Sequence, residues 1–219
     1  MIQRIISQIN GAYPLHELDC GQYGSLKARG MHFTTKCYEA QGLGHVSVMQ
    51  ASGFFGLMKM DTVIVNPSVV DMPLLSYDRV FAMGNDTLIF EVYDTVLGQT
   101  QLSATEQAKA EGGNGNAHDV GTHWYDSIKL PVSLAKKGRK ADTAAFDALT
   151  DAYFQGFLAD CAIANSCEAA PKREKASVYV EGLLSHGGPS TDVFKKAIGE
   201  EHTRELFRTV LFGTQPKNA

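Results

Sequence analysis

The chain has 219 residues, of which 44% are hydrophobic and 20% are charged, and its net charge is −4. This size suits one domain over residues 1–219, and the mild acidity argues against a nucleic-acid partner. No apolar run is long enough to cross a bilayer and no signal peptide is recognisable, so we expect a cytoplasmic protein without a membrane partner. The spacing of Cys20, Cys37, Cys161 and Cys167 predicts reduced thiols and no metal site.

The first half of the chain has the pattern of a β-sheet. The amphipathic first ten residues predict a short helix, and alternating residues from about Leu26 to Leu97 predict five or six strands. Because these strands follow one another through short turns, they should form an antiparallel meander. Gly84-Asn85-Asp86 has the composition of a hairpin turn.

The second half has helical patterns. Ser103 and Glu106 have capping-box spacing, which predicts a short helix followed by a Gly/Asn-rich surface loop over 112–122. Further helices are expected over 142–167 and 172–186. The last helical region should be capped by Ser190 or Thr191 and broken near Gly199.

Strands grouped before helices predict an α+β fold with a central antiparallel sheet covered by helices. The late helices should cover one face, while the N-terminal helix and residues 103–110 help to cover the other.

Asp78 stands where the strand "PLLSYDRV" enters the predicted core. A buried carboxylate costs free energy unless it is paired, protonated or used. In a structural interpretation, Asp78 pairs with Arg79 or a lysine and Asp61 faces solvent. In a functional one, polar groups such as Asp61, Gln50 and His45 converge on one sheet face, where an apolar pocket raises the pKa of a proton-donating carboxyl group.

Other candidate residues are less distinctive. His186, beside Gly187-Gly188, either faces a pocket or simply ends a helix. Two basic clusters are either solvated surfaces or a docking patch for an acidic partner. Their members are Lys136, Lys137, Arg139 and Lys140 in the first cluster, and Lys172, Arg173 and Lys175 in the second.

Three segments together resemble the ferredoxin-dependent bilin reductases. They are "MDTVIVNPSVVDMPLLSYDRVFAMG", "THWYDSIKLPVSLAKKG" and "VFKKAIGEEHTRELFRTVLFG", which occur in the family's order within residues 30–213. In that family a proline precedes the central catalytic aspartate by five residues, as Pro73 precedes Asp78 here. The resemblance implies a three-layer α/β/α sandwich, with a tetrapyrrole pocket between the sheet and the C-terminal helices.

The resemblance also implies a reaction. Members reduce a linear tetrapyrrole without a bound metal or flavin, using electrons from external ferredoxin and protons from the protein. Asp78 would be the proton donor, and Asp61 aligns within one residue of a family position that is His or Asn. The position of a second family aspartate falls on about Gly188, where His186 is a candidate substitute. A family acidic residue near the C-terminus is replaced by Gly213.

The implied substrate contacts and partners complete this hypothesis. Either an acidic ferredoxin or a flavodoxin would dock on the basic clusters, most directly through Lys136, Lys137, Arg139, Lys140, Lys172 and Arg173. The expected substrate-binding residues are Gln50, Met49, Val63 and Arg79. The alternatives are a non-catalytic tetrapyrrole carrier, or an unrelated enzyme or interaction protein on a similar scaffold.

Overall fold

The computed structural model describes residues 1–112 and 115–215. Within these residues a nine-stranded antiparallel sheet has the order β1-β3-β4-β5-β6-β7-β9-β8, and β2 also pairs with β3. The strands are β1 Leu15–Leu18, β2 Ser25–Ala28, β3 Met31–Ala40, β4 Gly44–Gly53, β5 Met58–Pro67, β6 Leu74–Ala82, β7 Asn85–Tyr93, β8 Asn116–Ala117 and β9 Leu134–Arg139. The helices are α1 Ile2–Ala12, α2 Ser103–Glu111, α3 Thr143–Ile163, α4 Ala169–His186 and α5 Pro189–Glu205, which continues as a π-helical segment over Leu206–Leu211.

The predicted α+β fold and antiparallel meander are confirmed. Strands β3 to β6 each pair with the next strand along the chain, and β7 pairs with β9. The turn between β6 and β7 consists of Met83 and Gly84, because Ala82 pairs with Asn85. It therefore lies one residue before the predicted turn, and both of its residues have the positive φ of a type I′ hairpin, 51° and 78°.

The sheet separates two hydrophobic cores. On one face Val63, Tyr77 and Phe90 pack with residues of α1 and α3, and the Phe90 and Tyr153 rings stack at 4.0 Å. On the other face residues such as Ile64 pack against α4, α5 and the π-helical segment. The prediction that all the late helices share one face is therefore wrong for α3. This helix follows the sheet strand β9 and places its large apolar side chains on the α1 side.

The helix starts also differ from the predicted capping. The Asp160 carboxylate of α3 accepts hydrogen bonds from the backbone nitrogens of Ala104 (3.1 Å) and Thr105 (2.9 Å) at the start of α2. Ser103 is already the first helical residue and does not cap α2. Gly188, rather than Ser190 or Thr191, precedes the first turn of α5.

Two further predictions concern a break in the last helical region and a surface loop. The break near Gly199 is confirmed by its φ of 84°. Of the predicted surface loop, Gly113 and Asn114 lie outside the described residues, and Asn116 and Ala117 pair with β9 as strand β8. No helix in the described ranges is long and apolar enough to cross a bilayer.

Side chains of β4 and β5 hold the C-terminal segment, residues 206–212, on the sheet. Three polar side chains donate to consecutive backbone carbonyls: His45 Nε2 to Val210 (2.8 Å), Ser47 Oγ to Leu211 (2.7 Å) and Asn66 Nδ2 to Phe212 (2.6 Å). Burial lowers the pKa of His45 to about 4, so that its imidazole is neutral at pH 7. These bonds position one wall of the cavity described below.

Gly213 follows this anchored segment directly. Its φ is 59°, and a Cβ added there would lie 2.3 Å from Cγ of His45. The anchoring of the C-terminal segment on His45 therefore explains why a glycine, and not an acidic residue, occupies this position.

Candidate functional site

A cavity of about 210 Å³ lies between the sheet and the layer formed by α4, α5 and the C-terminal segment. Strands β4 to β7 form its floor. Much of its rim is formed by the loop 123–125 and by Gly187, Gly188, Ser190 and Thr191. The floor contains both acidic and aromatic groups. Its principal residues are Met49, Thr62, Ser76, Asp78, Glu91 and Tyr93.

Asp78 is partly buried in this floor. It lies opposite Thr62 in the pairing of β5 with β6, and the Thr62 hydroxyl donates a 2.5 Å hydrogen bond to Asp78 Oδ1. Burial raises the pKa of Asp78 to about 6; the Thr62 hydrogen bond opposes this effect and the charge of Glu91 adds to it. An acid with this pKa can both hold and release a proton near neutral pH.

Glu91 supplies a second carboxylate on the same sheet face. It pairs with Ser76, while Asp78 pairs with Ile89, so the two acids are diagonal neighbours on adjacent strands. The Tyr93 hydroxyl donates to Glu91 Oε2 (2.6 Å), and Lys129 Nζ lies 3.7 Å from Glu91 Oε1. The sequence interpretation missed Glu91, although its alternation in "LIFEVY" places it on the face opposite to Phe90 and Val92.

Aromatic rings form one side of the cavity. Tyr93 and Tyr179 stack at 4.2 Å between ring centroids, and His123 and Tyr125 stack at 4.8 Å. Trp124 is brought against α4 because Gly182 leaves space: a Cβ at that position would lie 2.0 Å from Cη2 of the indole. Such rings offer flat apolar surfaces to a planar ligand. The cluster of rings in "THWYDS" is the sequence signal that could have marked this wall.

Two histidines lie near this wall. His123 lines the cavity, and its Nδ1 atom is buried without a hydrogen-bond partner among the described residues. A ligand with a polar group could supply the missing partner. His186, the predicted catalytic histidine, is exposed and stacks on Trp124 at 4.9 Å. It does not belong to the cavity lining.

Of the residues expected to contact substrate, only Met49 lines the cavity that contains Asp78. Gln50, Asp61 and Arg79 pair across β4, β5 and β6 on the opposite face of the sheet. The predicted convergence of Asp61 with Asp78 is wrong. Asp78 pairs with Thr62, and Asp61, the residue before Thr62 in β5, points to the opposite face of the sheet. Gln50 Nε2 instead donates to Asp61 Oδ1 (2.9 Å), and Thr62 occupies the place expected for Asp61.

Val63 and Arg79 have structural roles on that opposite face. Val63 is fully buried in the core formed with α1 and α3. Arg79 is also buried and makes a bidentate ion pair with Asp86, in which Nη2 and Oδ2 are 2.6 Å apart. Its guanidinium carbon lies 5.1 Å from the ring centroid of Phe81. Neither side chain reaches the cavity, so their expected roles in substrate binding are corrected.

The members of the two predicted basic clusters differ in exposure. Lys172 is only 1% exposed, and its Nζ donates to the carbonyls of Met72 (2.7 Å) and Thr95. Desolvation lowers its pKa to about 8. Lys172 therefore braces two loops and is not available for docking. Lys136 Nζ donates to the Gly112 carbonyl.

Three members of the first cluster, Lys137, Arg139 and Lys140, are exposed, and Arg173 of the second is partly exposed. These four side chains remain candidates for contact with an acidic partner.

The molecule is thus an α/β/α sandwich with a carboxyl-lined cavity between its sheet and its C-terminal helices. The crystal structure of phytochromobilin synthase from tomato, in complex with biliverdin, has the same fold. Its TM-score is 0.71 over 97% of this chain and 82% of that chain, at 15% sequence identity. No protein-family model matches the sequence, and no curated protein matches it significantly.

Proposed function

We propose that the protein reduces a linear tetrapyrrole, with electrons from an external donor and a proton from Asp78. The observation that carries this proposal is the position of Asp78 in the cavity floor, with a pKa of about 6. The likeness of the fold to a synthase described in complex with biliverdin supports the choice of substrate class.

The arrangement suits coupled electron and proton transfer. Reduction of one double bond consumes two electrons and two protons, so each added electron creates a site that takes up a proton. Thr62 fixes Oδ1 of Asp78, while no described residue donates a hydrogen bond to Oδ2. The nearby charge of Glu91 favours the protonated form of Asp78. Asp78 would deliver one proton, and solvent would restore it between steps.

The size of the cavity limits how a tetrapyrrole binds. At about 210 Å³ it is smaller than the roughly 300–1,000 Å³ of sites that enclose drug-sized ligands. A tetrapyrrole would therefore extend along the sheet, past Ile89, Val80 and Met60. These side chains are partly exposed and lie on the same face as Asp78.

The electron donor would be an acidic ferredoxin or a flavodoxin, and the proposal needs no resident metal or flavin. Exposed Lys137, Arg139 and Lys140, together with Arg173, offer basic side chains for such a donor. Opposite charges would speed the encounter, and added salt would slow it.

The test follows visible spectra of the protein mixed with biliverdin under anaerobic conditions, before and after addition of reduced ferredoxin. Wild type should shift the bilin spectrum on binding and change it stepwise on reduction. Asp78→Asn should bind but stall, whereas Asp61→Asn, on the opposite sheet face, is the matched control and should react normally. Turnover of Asp78→Asn at the wild-type rate would refute the role of Asp78.

A second candidate is a non-catalytic tetrapyrrole carrier. It is favoured by the cavity rim, where Gly188, at about the position of the second family aspartate, has no side chain that could donate a proton. In the same experiment a carrier would shift the bilin spectrum, and reduced ferredoxin would not change it further. Absence of any spectral shift would contradict both candidates.

A further inference from the structure

One end of the sheet has unusual turns. Among the described residues, the non-glycine residues with positive φ are Arg29, Phe54, Phe55 and Met83. All four lie in turns at this end: the β2–β3 turn, the β4–β5 turn and the β6–β7 turn. The pairing of Met31 with Gly53 and of Met58 with Ala82 places the three turns side by side.

These turns present large apolar side chains to solvent. Phe55 is completely exposed, and the exposed fractions are 54% for Phe54, 69% for Leu57 and 89% for Met83. We call these four residues the apolar tip. A positive φ is unfavourable for bulky side chains, and a type I′ turn such as Met83-Gly84 favours Asn before the glycine. Backbone strain of this kind is typical of functional sites. The exposed apolar side chains gain nothing from folding, and such exposed patches are typical of interaction sites.

Basic residues flank the apolar tip. Lys27, Arg29 and Lys59 are exposed, and the first two line a cleft of about 340 Å³ together with His32 and Ser52. We call this the basic cleft.

The nearest acidic residue of the β6–β7 turn, Asp86, is buried and paired with Arg79. Within residues 27–32, 52–59 and 81–86 the exposed charged side chains are therefore Lys27, Arg29 and Lys59, so these turns are cationic although the whole chain has a net charge of −4.

We propose that this end of the sheet docks on the surface of an anionic lipid bilayer. The apolar tip would enter the interfacial layer, and the basic cleft would bind phosphate groups of the lipids. A protruding tip of flexible and aromatic side chains suits a fluid layer, and the surrounding lysine and arginine residues complement its charge. Such peripheral contact requires no spanning helix, and it departs from the sequence-based expectation of no membrane partner. It does not depend on the proposed reductase activity.

Flotation with vesicles tests the proposal. Wild type should float with vesicles of phosphatidylcholine and phosphatidylglycerol, and weakly or not at all with phosphatidylcholine alone. Phe54→Asn/Phe55→Asn should lower the partition coefficient at least about tenfold, since Asn tolerates a positive φ but is polar. Lys27→Glu/Arg29→Glu should abolish the preference for anionic lipid. Ile163→Asn, which replaces a residue 74% exposed at the end of α3, is the matched control and should float like wild type.

Met83→Asn separates a membrane role from a structural one. It creates an Asn-Gly turn of the favoured type I′ composition, so the melting temperature should rise while vesicle binding falls. Equal flotation of wild type and the Phe54/Phe55 variant would overturn the proposal. Failure of wild type to float with anionic vesicles would also overturn it, and would leave an acidic protein as the occupant to test.

Discussion

Thr62 donates a 2.5 Å hydrogen bond to Asp78 from the directly opposite position on the neighbouring strand. Because a hydroxyl donor stabilises the ionised carboxylate, this bond lowers the pKa of Asp78 against the larger effect of burial. Thr62→Val keeps the shape of the side chain but removes the donor. We expect the pKa of Asp78 to rise above about 6, by roughly one pH unit or more.

The infrared band of the protonated carboxyl group, assigned by its loss in Asp78→Asn, measures this pKa directly. Ser76→Ala removes another hydroxyl from the cavity floor and serves as the control. A Thr62→Val titration that coincides with wild type would show that the hydrogen bond has no influence.

Glu91→Gln should move the same titration in the opposite direction. The charge of Glu91 raises the pKa of Asp78, and glutamine removes that charge while keeping an acceptor for the Tyr93 hydroxyl. The pKa of Asp78 should therefore fall, and reduction of the bilin should slow at neutral pH as less acid is protonated. Asp61→Asn also removes a carboxylate, but on the opposite face, and should leave the titration almost unchanged.

Asp78 and His45 should give opposing pH dependences of the free energy of unfolding. The pKa of Asp78 is raised to about 6, so between pH 4 and 6 the folded state binds more protons and stability falls as pH rises. The pKa of His45 is lowered to about 4, so between pH 4 and 6.5 the unfolded state binds more protons and stability rises with pH. Each effect is on the order of 3 kcal/mol.

Urea unfolding of three proteins at pH 4 and pH 6.5 separates these effects. Relative to wild type, Asp78→Asn should gain stability more steeply as pH rises, while His45→Gln should shift the slope the other way. Equal slopes for all three proteins would contradict both assignments.

Gly182→Ala should displace Trp124 without unfolding α4. The added Cβ would clash with the indole, whereas alanine favours the helix by up to about 1 kcal/mol. Trp124 is the sole tryptophan, so a change in its emission reports the displacement, and bilin affinity should fall with the loss of this wall. Gly11→Ala in α1 has nothing within 4 Å of the new Cβ and should leave the fluorescence unchanged.

Local patterns predicted much of the fold. Alternating apolar and polar residues predicted the meander, and apolar residues at helical spacing over 142–167 predicted α3. The predictions that were wrong concern features set by residues distant in the sequence. Asp160 caps α2 from 55 residues away, and α3 packs on the sheet face that carries Phe90.

The site was predictable only in part. Asp78 could be singled out as an acid in an apolar strand. Its true neighbours depend on strand register. Thr62, and not the adjacent Asp61, lies opposite Asp78, and Arg79 points to the other face of the sheet. Lys172 looked like a surface charge, because nothing local reveals that two loops would enclose its ammonium group.

The three hydrogen bonds that hold the C-terminal segment on the sheet join residues 146 to 165 positions apart. During synthesis, β4 and β5 therefore leave the ribosome long before the carbonyls that His45, Ser47 and Asn66 will bind. Until α4, α5 and this segment have followed, that apolar face of the sheet lacks its full cover, and the nascent chain carries a surface prone to association. Closure of the cavity wall would then be among the last steps of folding, and a chain that stops before Val210 would lack the wall altogether.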